Sequence, residues 1–193
     1  MANDIRSLCV YCGSSDGYIS AHADAARDLG RHLVENNIRL VYGGAVVGLM
    51  GIVADAVLSR GGSVTGVITE HFDAAGITHS GLTKCVIAPD MHSRKAEMMQ
   101  HSDAFVALPG GIGTLEEVAE ALTWAHIGHH RKPVGFLNVD GFYNPLINML
   151  DQMVACGFYR QEQRDALVVA GTPEELISKL ESAVWPDVTK WVR

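Results

Sequence analysis

The sequence predicts an α/β fold, an open parallel sheet of about seven strands with helices on both faces. Three observations predict it. Strand-like and helix-like segments alternate along the whole chain, the strand-like ones are short apolar runs, and three of them end in glycine-rich turns. Unbroken apolar runs suit strands buried on both faces, and open parallel sheets bind ligands where their strands end.

The elements follow in order. IRSLCVYCGSS at 5–15 reads as a strand running into a glycine–serine turn, and 20–36 carries apolar residues at helical spacing. RLVYGG at 39–44 is a second strand broken by two glycines, 48–59 a small-residue helix and SVTGVI at 63–68 a third strand. Residues 69–83 are the least patterned and are expected to form a loop over one sheet edge. KCVIA at 84–88, AFVALP at 104–109, PVGFLN at 133–138 and ALVVA at 166–170 complete the strands, with helices expected at 92–101, 114–128, 143–156 and 174–183. There is no repeat, linker or low-complexity segment, so 1–193 reads as a single domain.

Composition narrows the function. A chain that is 48% hydrophobic and 19% charged is not a disordered one. A net charge of −7 with no basic run argues against a nucleic-acid polymer as partner, yet leaves room for an arginine that holds a small anion. No apolar run is long enough for a membrane span and the N-terminus lacks a secretory pattern, so a cytoplasmic protein is expected. Cys9, Cys12, Cys85 and Cys156 read as reduced, packed thiols; Cys9 and Cys12 lie three apart in a strand and point to opposite faces, which disfavours a redox or zinc pair.

The strongest chemical feature is LPGGIGTLEE at 108–117, a strand running into Gly110, Gly111 and Gly113 with a helix expected from about Thr114. Glycine permits left-handed angles and close approach, and free amides at a helix start favour an anion. Thr114 and Glu117 also spell a capping box, in which the carboxylate would only satisfy a backbone amide. No lysine follows the glycines as in a nucleoside-triphosphate loop, and the spacing is a poor match to a dinucleotide fingerprint, although Glu70 stands where a ribose-binding acid would.

The second feature is PDMHSRKAEMM at 89–99. Arg94 and Lys95 fall in the first turns of a helix, against the dipole's preference, which suggests an anionic partner; the alternative is a solvated pair balanced by Glu97. Arg94 suits a planar grip on phosphate or carboxylate and Lys95 a point charge. Met91 and Met98 are expected to pack. His126, His129 and His130 have helical spacing that could hold zinc, but no acidic or cysteine ligand is tied to them. Asp55, Glu116 and Glu120 have nothing in their spacing to set them apart, and Trp124 and Phe105 read as core or contact aromatics.

On MHSRKAEM at 91–98 and PGGIGTLEE at 109–117, supported by CGSS at 12–15, YGGAVVGLMG at 42–51, SDAFVALP at 102–109 and KPVGFLNVDGFY at 132–143, the chain resembles the LOG family. These are the cytokinin riboside 5'-monophosphate phosphoribohydrolases, often labelled lysine-decarboxylase-like although no lysine here is placed to hold pyridoxal phosphate. The resemblance covers roughly residues 5–180 and implies a Rossmann-like sheet and a homodimer whose subunits share each pocket. It implies hydrolysis of the N-glycosidic bond of an N6-substituted adenosine 5'-monophosphate to free base and ribose 5-phosphate, with no metal or cofactor. Arg94 and Glu117 correspond to the family's catalytic pair. The substrate- and phosphate-binding set is expected to comprise Ser14, Gly44, Lys95, Gly110, Gly111, Ile112, Gly113 and Thr114. A broader purine nucleoside-monophosphate nucleosidase, a non-catalytic nucleotide-binding module and a nicotinamide-dependent oxidoreductase are the alternatives. The chain departs from the family pattern at Ala45, Thr69, Gly76 and Lys84, which bears on substrate choice more than on reaction class.

Overall fold

The computed structural model describes residues 3–187. Seven strands, β1 (Ser7–Tyr11), β2 (Arg39–Tyr42), β3 (Val64–Thr69), β4 (Lys84–Ala88), β5 (Ala104–Ala107), β6 (Val134–Leu137) and β7 (Val168–Ala170), form one sheet in the order β4-β3-β2-β1-β5-β6-β7. Every neighbouring pair is parallel. The α/β expectation holds, and each strand lies in or beside its apolar run.

Helices cover both faces. One face carries α1 (Ser20–Glu35), α2 (Gly48–Leu58) and α8 (Pro173–Ser182), whose Leu29, Leu33, Val53, Val57, Leu176 and Leu180 share a core with the side chains of Leu8, Val10 and Leu40. The other carries α4 (Met91–Gln100), α5 (Ile112–His126) and α6 (Asn144–Ala155), where Met98, Val118, Ala121 and Leu150 pack on Cys9, Val41 and Phe105. Each fully buried leucine or valine contributes about 2 kcal/mol through the apolar surface it removes from water. Cys9 and Cys12 fall in opposite cores, as the strand period requires.

Four expectations need correction. The 69–83 segment is not only loop. It opens with the short helix α3 (Glu70–Ala74) and then pairs back on the second glycine turn through an antiparallel bridge, Ala45 to Thr78. A further short helix, α7 (Gln161–Asp165), lies in a stretch for which no element was expected, and β7 begins at Val168 where a strand from 166 was expected. The thiols are unpaired, but only Cys9 and Cys12 are packed; Cys85 lies on the edge strand β4 with one face open, and Cys156 follows α6 in solvent. Met98 is buried as expected, whereas Met91 is exposed at the start of α4.

β1 is the strand at which the sheet order reverses. It lies between β2 and β5, so the chain leaves β1 for α1 on one face and leaves β5 for α5 on the other. The diverging connections open a crevice at the carboxyl ends of these strands.

Candidate active site

Three turns converge on that crevice. The Gly13 amide donates to the Pro109 carbonyl at 3.1 Å, which ties the first turn to the third. A side chain on Gly48, at the start of α2, would run into the backbone of Ser14 and Ser15, so the first and second turns also touch. Gly13, Ser14, Gly110 and Gly111 line a cavity of 410 Å³ whose outer wall includes Tyr18 and Phe142, within the size range of small-molecule sites.

The third turn differs from its expected form in two ways. Helix α5 begins at Ile112, with Gly111 at the cap and no side chain capping it. Thr114 is therefore the third helical residue, and Thr114 and Glu117 do not form a capping box. A side-chain cap does exist at α8, where Thr172 Oγ1 accepts from the Glu175 amide at 3.3 Å, while Glu175 reaches past the cap residue to accept from the Gly171 amide at 2.9 Å. Second, none of Gly110, Gly111 and Gly113 has a positive φ. Gly110 is required because a Cβ there would overlap buried Thr114, while a Cβ on Gly111 or Gly113 would meet no atom within 4 Å. The first backbone bond of α5 runs from Leu115 to Gly111, which leaves the amides of Ile112, Gly113 and Thr114 without a carbonyl inside the helix. Free amides at a helix start favour an anion.

Glu117 faces α4 instead. Its Oε1 accepts from Arg94 Nη1 at 2.8 Å, and both side chains are nearly enclosed, at 13% and 8% exposure. Arg94 is not a solvated partner of Glu97. Its Nε donates to the Val67 carbonyl at 2.9 Å and its Nη2 to the Gly43 carbonyl at 3.3 Å, so one guanidinium joins β3, the second glycine turn and α5. Gly43 has to be glycine, since a Cβ would overlap that guanidinium. Burial pushes the Glu117 carboxyl above its ordinary value, Arg94 and Lys95 pull it down, and Glu116 adds to the rise.

Lys95 is buried as well, and its ammonium meets two carboxylates of α5, Glu116 and Glu120, the latter at 3.1 Å. Ser14 is exposed at the crevice, and Ile112 is exposed at the start of α5, at 82%. Gly44, in contrast, is buried with φ +78°, and its carbonyl accepts from the His79 amide at 2.9 Å. The structure thus gathers Ser14 with Gly110 and Gly111 around the cavity, pairs Arg94 with Glu117 outside its lining, and makes Gly44 a turn former.

A family model described as possible lysine decarboxylase matches residues 50–180. The chain is 51% identical over 176 residues to the cytokinin riboside 5'-monophosphate phosphoribohydrolase LOG3 of Arabidopsis thaliana, covering 91% of this chain and 82% of that protein. It is 52% identical to the probable phosphoribohydrolase LOGL2 of Oryza sativa subsp. japonica, covering 91% and 72%. The chain belongs to the LOG family. Solved structures extend the fold further. The molybdenum cofactor binding protein of Rippkaea orientalis superposes with a TM-score of 0.68 at 22% identity, covering 91% of this chain and 95% of that one. The molybdenum cofactor carrier protein of Chlamydomonas reinhardtii gives 0.69 at 19%, covering 92% and 96%. At these identities the likeness is one of fold.

Of the four departures from the LOG pattern, Ala45 lies in the second glycine turn, and Lys84 lies at the opposite end of the sheet. Ala45 is buried in the bridge to Thr78, Thr69 is buried at the end of β3, Gly76 turns with φ +73°, and Lys84 opens the exposed β4. Sequence reasoning missed what fastens this LOG loop. His79 Nε2 lies 3.1 Å from Asp55 Oδ1 on α2, and the Gly81 amide donates to His79 Nδ1 at 3.0 Å, which assigns the ring proton to Nε2. No spacing links Asp55 to a residue 24 positions away.

The histidines at the end of α5 have structural partners. His126 Nδ1 meets Gln163 at 2.6 Å, and His130 sits under Phe105 with Nε2 3.0 Å from the Ala121 carbonyl. Burial keeps His130 below its ordinary value. Trp124 packs edge-on against His129.

Proposed function

We propose that this chain hydrolyses the N-glycosidic bond of an N6-substituted adenosine 5'-monophosphate, with Glu117 at the reacting carbon and the 110–114 turn holding the phosphate. The LOG family is one of phosphoribohydrolases, and the enzyme class follows from it. The observation that carries the residue assignment is the pairing of an uncapped helix start with a buried carboxylate on the same helix. Five residues at about 1.5 Å each separate Ile112 from Glu117, a span comparable with that from a 5'-phosphate to the anomeric carbon.

In the reaction the C1'–N bond breaks with its electron pair leaving on the base, and positive charge builds on the sugar ring. The Glu117 carboxylate stabilises that charge and orients water. Water oxygen bonds to C1', one of its protons ends on the departing base, and the other stays on the new hydroxyl. Arg94 spends three of its five N–H donors on Val67, Gly43 and Glu117, so its main contribution is to fix the carboxylate rather than to move a proton. Ser14 and the amides of 112–114 hold the 5'-phosphate.

The test is a panel of N6-isopentenyl-AMP, AMP, GMP and the matching nucleosides, read by separation of free bases. Monophosphates are expected to release base with kcat/KM at least ~100-fold above their nucleosides, because phosphate binding is used to place C1' against Glu117. Equal turnover of nucleosides would remove the phosphate seat. Micromolar binding without cleavage across the panel would make the chain a binding module.

The same reading makes the chain a cytoplasmic homodimer. Ile112 and Leu115 expose apolar surface at the start of α5, and Ile127 does so past its end, as a subunit contact beside the pocket would. Sedimentation of the purified chain is expected to give twice the monomer mass of 20.8 kDa; a monomer with full activity would end the shared-pocket arrangement. Among the described residues no helix is long and apolar enough to cross a membrane.

A further inference from the structure

We infer that Lys95 is a positioning residue that holds Glu117 in its working form from behind, by neutralising the carboxylates that flank it on α5, and that it does not bind the phosphate. The inference rests on Glu117 as the reacting carboxylate. Three acidic residues, Glu116, Glu117 and Glu120, lie within two turns of α5, and α4 answers them with two adjacent cations. Arg94 takes Glu117, while Lys95 takes Glu116 and Glu120. The division follows from geometry. Successive residues on a helix point about 100° apart, so Arg94 and Lys95 address different sides of the same α4–α5 contact.

Lys95 is 5% exposed. Burial alone would lower its affinity for a proton, but the hydrogen bonds and charges of Glu116 and Glu120 outweigh burial and leave the ammonium above its ordinary value. An ammonium already shared by two carboxylates has little left to offer a phosphate. Its removal would leave Glu116 and Glu120 uncompensated beside a carboxylate whose ionisation burial already opposes.

The remaining groups that face Glu117 do not supply that compensation. Cys9 and Tyr11 on β1 couple to it electrostatically, as does Cys12 from the other face of the sheet, but burial raises all three, Cys9 to about 12, so they stay neutral over the working range. Arg94 and Lys95 on α4 are therefore the charges that keep Glu117 ionised, and Glu116 on its own helix is the charge that opposes them.

The experiment is a kcat–pH profile of wild type, Lys95→Met, Glu116→Gln and the double variant, with AMP or N6-isopentenyl-AMP as substrate. The ionised carboxylate is the active form, so activity falls on the acid side as Glu117 takes up a proton. Lys95→Met is expected to move that acid limb up, with KM little changed. Adding Glu116→Gln is expected to bring it back down. Glu116→Gln alone should move the limb below wild type, which keeps the inference testable even where Lys95→Met folds poorly. A rise in KM for monophosphates with an unmoved limb would return Lys95 to the phosphate. Lower melting temperature and kcat with an unmoved limb would reduce it to a packing contact. Full activity in Glu117→Gln would instead remove the underlying assignment, whatever the Lys95 variants show.

Discussion

Glu117→Gln is expected to lower kcat by on the order of 10³-fold while KM changes little, because the lost interaction exists chiefly in the transition state. The substitution keeps the shape and an acceptor oxygen for Arg94 Nη1, so the three-way anchoring of the guanidinium survives. Its fold should therefore remain, and circular dichroism with urea denaturation checks that. Ionising this carboxyl is already opposed by burial, so a neutral amide relieves part of what the loss of charge costs Arg94. Glu117→Asp separates charge from reach. It keeps the carboxylate but draws it back by one methylene from both Arg94 and the sugar, and an intermediate kcat is expected. Undiminished base release by either variant would show that the chemistry lies elsewhere in the crevice.

Most of the architecture was legible because a parallel sheet writes itself plainly. VTGVI and AFVA are buried at every position, having no solvent face, and AFVA runs on through the glycine turn into a segment with helical spacing. The start of α5 was not legible. Gly113 is a poor helix former, and on sequence alone it belonged to the turn; in the structure its missing side chain leaves the helix start open, and the helix begins before it. The same shift by two residues dissolved the capping box and freed Glu117 for Arg94. Local spacing could not have decided this, since the partner lies 23 residues earlier on another helix.

The adjacent pair Arg94 and Lys95 shows the same limit. The sequence placed two cations where a helix dipole disfavours them and suggested an anionic partner, and carboxylates of α5 meet both. What it could not distinguish was a bound phosphate from a protein carboxylate, because a guanidinium recognises both with the same fork. Likewise the 69–83 segment had no period to read, since its order comes from a backbone bridge to Ala45 and a His79–Asp55 pair.

Arg94→Ala is expected to cost both stability and rate, and the two losses should differ in their pH dependence. Three elements lose a shared anchor, and Glu117 is left enclosed without its counter-charge, an imbalance that costs about 3–5 kcal/mol in buried pairs. Arg94 is the leading influence that lowers the Glu117 carboxyl, so its removal raises that group further. A carboxyl whose folded value lies above its unfolded one costs stability as pH rises from the unfolded value to the folded one, and the cost vanishes below both. The stability deficit of Arg94→Ala should thus be smaller at pH 5 than at pH 8, measured by urea denaturation. Its kcat should fall by about 10²-fold or more at neutral pH. Arg94→Lys retains the charge but not a fork that reaches Val67, Gly43 and Glu117 together, so it should recover part of the stability and little of the rate. A double Arg94→Ala, Glu117→Ala variant removes both charges, and its stability loss should fall short of the sum of the singles by about 1–3 kcal/mol. Additive losses would mean that the two side chains are neighbours without being partners, and the carboxylate would then need another account of how it is held at the rim of the phosphate seat.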